Sequence, residues 1–271
     1  MVGKKDDKRI SAIVPAYNEG ERIASVLDIL VSYPHFIEVI VVDDGSTDNT
    51  PYVVSHYNVK YVRNERNMGK GYAMDRGVSV AEGDIIFFCD ADIKGITHEI
   101  IDEIVQPVVR GEIDMFVACR DRIAHRLPFS ERFNPLAGER ALKKELWKKL
   151  PGFYKKNFRV ETGLNLYAGY FGNGYQVKLF DNLVQTIKEK KYGVIMGFKQ
   201  RWRMNVDLIV ANWWILVVNS FGIFKEKRMK LPHFLALLLW LFVKNIAITV
   251  ALIISWPFIT LATSWLYRKK P

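Results

Sequence analysis

Glu82-Gly83-Asp84-Ile85-Ile86-Phe87-Phe88-Cys89-Asp90-Ala91-Asp92 reads as a strand that crosses an apolar core and emerges on two carboxylates. An uninterrupted β-branched and aromatic run suits a strand buried on both faces, and Gly83 marks the turn before it. On either side, short apolar runs alternate with stretches of helical spacing. The strands expected are Ile10–Val14, Glu38–Val42, Val59–Val62, Asp84–Cys89 and Asp114–Ala118. The helices expected are Glu19–Ser32, Thr47–Ser55, Gly69–Ala81 and Thr97–Arg110. This order predicts an α/β fold with a largely parallel sheet and helices on both faces.

In such sheets ligands bind beyond the carboxyl ends of the strands. Three of those ends carry polar clusters: Pro15-Ala16-Tyr17-Asn18-Glu19, Asp43-Asp44-Gly45-Ser46-Thr47-Asp48, and Asp90-Ala91-Asp92. Two carboxylates at i and i+2 on an already negative rim repel each other unless a cation lies between them. Oxygen ligands of this kind suit Mg2+ or Mn2+, which take few carboxylates and keep positions for substrate phosphates. Read alone, Asp90 and Asp92 are better taken as caps of the following helix.

The 271 residues are 49% hydrophobic and 25% charged, enough for a substantial core and too apolar for intrinsic disorder. Cys89 and Cys119 each end an apolar run and read as reduced core thiols, too few for a disulfide framework. The formal net charge of +10 is unevenly spread. Residues 1–119 hold 12 basic against 20 acidic side chains, and residues 120–271 hold 27 against 9. A basic second half points to an anionic partner.

Its apolar pattern points to a membrane. From Leu231 to Leu266 the only charged residue is Lys244, and a span needs roughly 20 residues. The polar start MVGKKDDKR predicts no signal peptide. Basic clusters flank the run, Lys225 to Lys230 before it and Arg268 to Lys270 after it. They favour both ends on the cytoplasmic side, hence a hairpin or re-entrant pair over 231–271. Residues 206–230 read as an interfacial amphipathic helix and basic linker, because Asp207, Asn212, Asn219 and the Trp213-Trp214 pair suit a helix lying on the surface. Lys143, Lys144, Lys148 and Lys149 read as a solvated face able to touch anionic lipid. No histidine spacing suggests a metal site, and no GxGxxG follows the first strand, which disfavours dinucleotide-dependent redox chemistry.

The ordered set PAYNE, VVDDGSTDNT, NMGKGYAMDRG and EGDIIFFCDAD resembles the family 2 glycosyltransferases, which have the Rossmann-like GT-A fold. The resemblance covers residues 10 to 120. It implies a nucleotide-sugar donor across the strand ends and a catalytic domain over 1–205. Pro15, Ala16, Tyr17 and Glu19 would line the base and ribose pocket, with Asp43 or Asp44 reading the base. Lys70 would approach the nucleotide or diphosphate, Asp90 and Ala91 would sit near the ribose, and Asp92, with Asp90, would hold the metal. Cys119-Arg120 is similar to the Ser-Arg pair of many members, with Cys replacing Ser, and implies that Arg120 contacts a phosphate. PLAGER (135–140) and VETGL (160–164) resemble motifs of glucosyl-3-phosphoglycerate synthases and place Gly138 and Glu161 in the site. The histidine that many GT-A enzymes use for metal has no counterpart; Gln185 takes the approximate place. Gln200-Arg201-Trp202-Arg203 departs from the processive Gln-x-x-Arg-Trp motif in order and spacing, so processivity is not assigned.

The combined expectation is a metal-dependent glycosyltransferase at a cell or ER-type membrane, its catalytic domain on the cytoplasmic face. It would transfer sugar to a lipid, polyprenyl phosphate first among the candidates. Diacylglycerol, a soluble acceptor such as 3-phosphoglycerate, and a non-catalytic nucleotide-sugar-binding adaptor stay open, while nucleic acid is not expected as a partner.

Overall fold

The computed structural model describes residues 8–120, 137–185 and 194–268, with the backbone alone at 120, 185, 194–201 and 251–268. The chain divides into two compact units, Met1–Gln185 and Thr186–Pro271. The expected boundary at 205 therefore falls inside the second unit.

In the first unit, β1 (Ile10–Ala16), β2 (Phe36–Asp43), β3 (Lys60–Arg63) and β4 (Ile85–Phe88) are joined by α1 (Ile23–Ser32), α2 (Thr50–Val54) and α3 (Lys70–Val80). There follow β5 (Ile93–Lys94), α4 (His98–Val109), β6 (Met115–Arg120), β7 (Arg140–Lys143), α5 (Lys144–Lys149), α6 (Arg159–Phe171), β8 (Tyr175–Phe180) and β9 (Val184–Gln185). Seven strands form one sheet in the order β3-β2-β1-β4-β7-β6-β8, and β5 pairs with β9 in a second, two-stranded sheet. All pairings in the large sheet are parallel except those of β7, which is antiparallel to both neighbours. Arg-Ala-Leu-Lys is too short and too charged at its ends to read as a strand, which is why the sequence pattern missed it.

Both faces of the sheet are covered, as the continuous apolar strands require. On one, Ala12, Val14, Val39, Val41, Ile85, Phe87, Phe116 and Ala118 form a core with Ile23, Val26, Leu27 and Leu30 of α1 and Ile101, Ile104, Val105 and Val108 of α4. On the other, Gly77 of α3 lies directly over Ile13 and Val42, and Phe88 packs on Trp147 of α5 with ring centres 5.1 Å apart.

The strand order positions the site. The chain builds outward from β1 through β2 to β3, then returns to place β4 on the other side of β1. That reversal opens a crevice at the carboxyl ends of β1 and β4, the usual ligand position in such sheets. β1–β4 pairing stops at Ile13 opposite Phe88, two residues before Pro15, whose ring nitrogen has no hydrogen to give a ladder. β7 runs the other way and pairs Arg140 with Phe88. The chain entering β7 is thereby brought beside the acids that leave β4.

The second unit contains α7 (Val194–Trp214), a π-helical stretch (Ile215–Asn219), α8 (Ser220–Glu226) and α9 (Leu231–Arg268). The Trp213 indole donates to Thr249 Oγ1 at 3.3 Å, and Phe224 meets Phe234 with ring centres 4.5 Å apart, so these helices run antiparallel. The hairpin expected within 231–271 is not what forms: Leu231–Arg268 is one 38-residue helix. The run has no glycine; Pro232 sits in its first turn, where a missing N–H costs nothing, and the helix continues through Pro257, where one backbone hydrogen bond is lost. At ~1.5 Å per residue the helix is about 57 Å long, against a bilayer core of roughly 30 Å. Trp202–Glu226 and Leu231–Val250 are each long and apolar enough to cross a membrane. Trp202, Val206, Val210, Trp214, Val218 and Phe221 are exposed at helical spacing, while Asn205, Asp207, Asn212 and Ser220 are buried. An interfacial helix, as expected over 206–230, would turn such polar groups towards water.

Two glycines in helices should respond to alanine with opposite signs. A Cβ at Gly77 would lie 2.5 Å from Ile13 Cγ2, so Gly77→Ala should destabilise the first unit by about 1–3 kcal/mol. At exposed Gly169 the nearest contact would be an ordinary 3.4 Å, and Gly169→Ala should stabilise by about 0.5–1 kcal/mol. Denaturant titration of both variants checks the pair.

Candidate active site

The loop after β1 is built on the loop after β2. Asn18 takes a left-handed conformation (φ 54°), which asparagine tolerates better than most residues. Its N–H donates to Ser46 Oγ at 2.9 Å, and its side-chain oxygen accepts from the Thr47 N–H at 2.9 Å. The Glu19 N–H donates to Thr50 Oγ1, and the Gly20 N–H to Asp48 Oδ2. Gly20 is needed for contact, since a Cβ there would lie 1.9 Å from Asn49 Oδ1. Burial acts to raise the Asp48 carboxyl, but hydrogen bonds from Thr50 and Gly20 outweigh it and hold the group below its ordinary range. Pro15 and Tyr17 are half-buried at the crevice, Ala16 is buried, and the Glu19 carboxylate is paired with Arg22 at 2.8 Å.

Asp43 and Asp44 are both held by hydrogen bonds from neighbouring segments of the chain. Asp43 accepts from the Ser46 N–H at 2.8 Å and from the Tyr61 hydroxyl at 2.6 Å. Burial, followed by this bond to Asp43, pushes the Tyr61 hydroxyl up to about 12. Asp44 accepts from Asn64 Nδ2 (2.7 Å), the Met68 N–H (2.9 Å) and the Gly69 N–H (2.7 Å). With exposures of 0% and 3%, both side chains are engaged within the fold. Asp44 shapes the turn that delivers Lys70.

Lys70 opens α3, behind Gly69 at φ 94°. Its ammonium lies 2.8 Å from Asp90 Oδ1 and 3.3 Å from Glu161 Oε1 in the first turn of α6. Burial would depress this lysine, but Asp90, Glu161 and Glu139 more than offset that and hold it above its ordinary value. Asp90 is backed by Gly138: a Cβ there would lie 2.3 Å from both carboxylate oxygens. Expected site residues from four separate stretches of sequence thus meet at one point. Beneath them lies Arg140, wholly buried in β7. It donates through Nε to the Ala137 carbonyl at 3.0 Å and through Nη1 to Asn165 Oδ1 at 3.4 Å. Arg140, Asn165 and the buried Glu139 were not singled out from the sequence, where a charged pair beside a glycine reads as surface.

Lys143 and Lys144 also depart from the expected solvated face. Lys143 Nζ contacts Asp114 Oδ1, and Lys144 Nζ donates to the Ala81 carbonyl; Lys148 stays exposed.

Asp92 and Ala91 are buried just beyond Asp90, and Asp92 lines a cleft of about 330 Å3 with Glu21, Arg22, Ser25 and Lys94. Among the described residues no three His, Cys, Asp or Glu side chains converge as a ready metal cage. The donor set still fits Mg2+ or Mn2+, which are held by one or two carboxylates plus substrate phosphates. The carboxylates of Asp90 and Asp92, leaving one strand end at the crevice, are of that kind. Arg120 closes β6 and Gln185 closes β9; their side chains lie outside the described residues, as does the basic stretch 121–136.

The fold and this rim are those of a glycosyltransferase of the GT-A class, and the comparisons agree. Residues 11–184 match the family model described as Glycosyl transferase family 2, and the chain belongs to that family. It is 42% identical over 94 residues to a dolichyl-phosphate beta-glucosyltransferase of Trichomonas vaginalis, covering 30% of this chain and 28% of that one. It is 33% identical over 121 residues to the dodecaprenyl-phosphate galacturonate synthase of Rhizobium johnstonii, covering 41% and 36%. The match therefore spans well under half the length of either relative. Among solved structures it resembles glucosyl-3-phosphoglycerate synthase of Mycobacterium tuberculosis in complex with Mn2+, UDP-glucose and phosphoglyceric acid. That likeness has a TM-score of 0.61 at 25% identity and covers 75% of this chain and 79% of that one.

Two substitutions test the architecture. Asp44→Asn turns one of the two acceptor oxygens into an N–H2, facing either the Gly69 N–H at Oδ2 or the Met68 N–H and Asn64 amide at Oδ1, and should cost about 1–3 kcal/mol. Amide exchange at Met68 or Gly69, whichever loses its acceptor, should rise more than elsewhere in the first unit. Gly138→Ala should push Asp90 off Lys70 and destabilise the first unit by about 1–3 kcal/mol, and a crystal structure of the variant reads that displacement directly.

Proposed function

We propose that the chain transfers a sugar from a nucleotide-sugar donor to a membrane lipid, polyprenyl phosphate in particular, in a reaction dependent on Mg2+ or Mn2+. The observation that carries this reading is the convergence of Lys70, Asp90, Gly138 and Glu161 at the sheet's topological switch point, next to Asp92. Pro15 and Tyr17 would border the nucleoside, with the buried Ala16 and Glu19 supporting that edge. Asp90 would face the ribose and Asp92 the diphosphate. Mg2+ or Mn2+ bound with Asp92 and Asp90 would offset the charge that develops on the departing nucleoside diphosphate.

A polyprenyl phosphate is already ionised near neutral pH, so its oxygen can attack the anomeric carbon without a strong base. The carbon–oxygen bond to the diphosphate breaks as the new bond forms. Arg120 would reduce the repulsion between the two anions, acting on a phosphate of the donor or acceptor. If the acceptor were a hydroxyl, as in diacylglycerol, Glu161 would be the residue to take its proton.

The names of the two curated relatives support a lipid phosphate acceptor, and the two apolar helices support a membrane location. A cytoplasmic catalytic unit agrees with the basic run before and within the first turns of α7, where Lys188, Lys190, Lys191, Lys199, Arg201 and Arg203 stand against Glu189 alone. A second reading, transfer to a soluble phosphorylated acid, is favoured by the phosphoglyceric acid bound in the structural neighbour.

Incubating membranes that carry the chain with radiolabelled nucleotide-sugars, with and without added polyprenyl phosphate, separates the two. Label extracted into organic solvent and dependent on the added lipid supports the first reading; label confined to the aqueous phase refutes it. Asp92→Asn should cut transfer by about 100-fold or more while the protein stays folded, since that side chain serves charge developing in the transition state.

A further inference from the structure

Sequence logic reserves the space beside Asp90 for a cation, and in the folded chain a cation from the protein itself is there. Lys70 bridges Asp90 and Glu161 from a position where lysine is locally disfavoured, the positive end of a helix whose first turn has no acid. The carboxylates therefore hold the ammonium at that place; the helix does not. Its side chain is 21% exposed, on a flexible four-carbon stem, so it has a route out of the pair. Asp90 has no such freedom, because Gly138 closes one side of it.

We propose that Lys70 is a resident counter-ion, which keeps the empty site weak for divalent cations and yields Asp90 when a nucleoside diphosphate arrives. The inference rests on the donor-site reading above. A divalent ion entering alone would add two positive charges beside an ammonium that already neutralises its ligand. A diphosphate entering with it supplies compensating negative charge and a second partner for the lysine. Metal and nucleotide then bind as a coupled pair, and by thermodynamic linkage each strengthens the other equally.

The test is Mn2+ binding to the full chain in detergent, followed by the electron paramagnetic resonance signal of free Mn2+, alone and with UDP or GDP. The wild-type chain should bind Mn2+ weakly by itself and much more tightly with one of the nucleotides. Lys70→Met should tighten nucleotide-free Mn2+ binding by about tenfold and shrink the nucleotide effect by a similar factor, a change within the usual range of coupling between sites. Lys70→Arg keeps the charge and should behave as the wild type. If the Met variant does not fold, Lys70→Gln, which keeps a hydrogen-bond donor without the charge, should shift Mn2+ binding in the same direction. Unchanged or weakened Mn2+ binding in the neutral variants overturns the counter-ion role while leaving the donor site intact. A wild-type chain that takes up no Mn2+ with either nucleotide overturns both.

Discussion

Like charges brought together by folding need a counter-charge, and at this rim it is one ammonium group. Asp90 leaves the end of β4, Glu161 lies in the first turn of α6, and Glu139 enters β7, yet all three press on the same small volume. In a partly buried place their repulsion is poorly screened. Lys70, reaching in from α3, allows the strand end and the helix start to approach. Arg140 below supplies a second positive charge and pins the Ala137 carbonyl, which sets the loop that backs Asp90.

That arrangement depends on the sheet order. Had β4 followed β3 on the same edge, Asp90 would lie far from the β1 loop. Because β4 returns to the other side of β1, the two chain exits flank one crevice. The antiparallel β7 then brings in residues from beyond 136 that a purely parallel continuation would have sent to the opposite edge. Asp44 acts a step earlier: three hydrogen bonds to its carboxylate shape the turn from Asn64 to Gly69 and so aim the lysine.

The two units are built on opposite polarity rules. In the first, apolar side chains fill both faces of a sheet and charges collect at its rim. In the α7–α8 stretch of the second, the exposed stripe is apolar and the buried side chains include Asn205, Asp207 and Asn212. Exposed hydrophobic surface of that extent is costly in water and unremarkable against acyl chains, where buried polar groups are the exception that packing must satisfy.

Much of this was legible in the residues themselves. The βα alternation, the apolar strands and the clusters at their ends follow from local chemistry, and the structure places the expected elements within a few residues of their sequence positions. Gly138 and Glu161 are legible through motif likeness; Gly138 lies against Asp90, and Glu161 shares Lys70 with it. Local pattern could not show which partners each acid would find. Asp43 and Asp44 stand beside Asp90 and Asp92 in character, but their partners, Tyr61, Asn64, Met68 and Gly69, occupy them within the fold. Nor could it show that the cation beside Asp90 is a side chain twenty positions upstream, or that four residues around Arg140 form a strand. Strand ends and their charges are written along the chain. The partner each charge finds depends on the order in which strands lie side by side, because contacts between distant segments exist only after the sheet has formed.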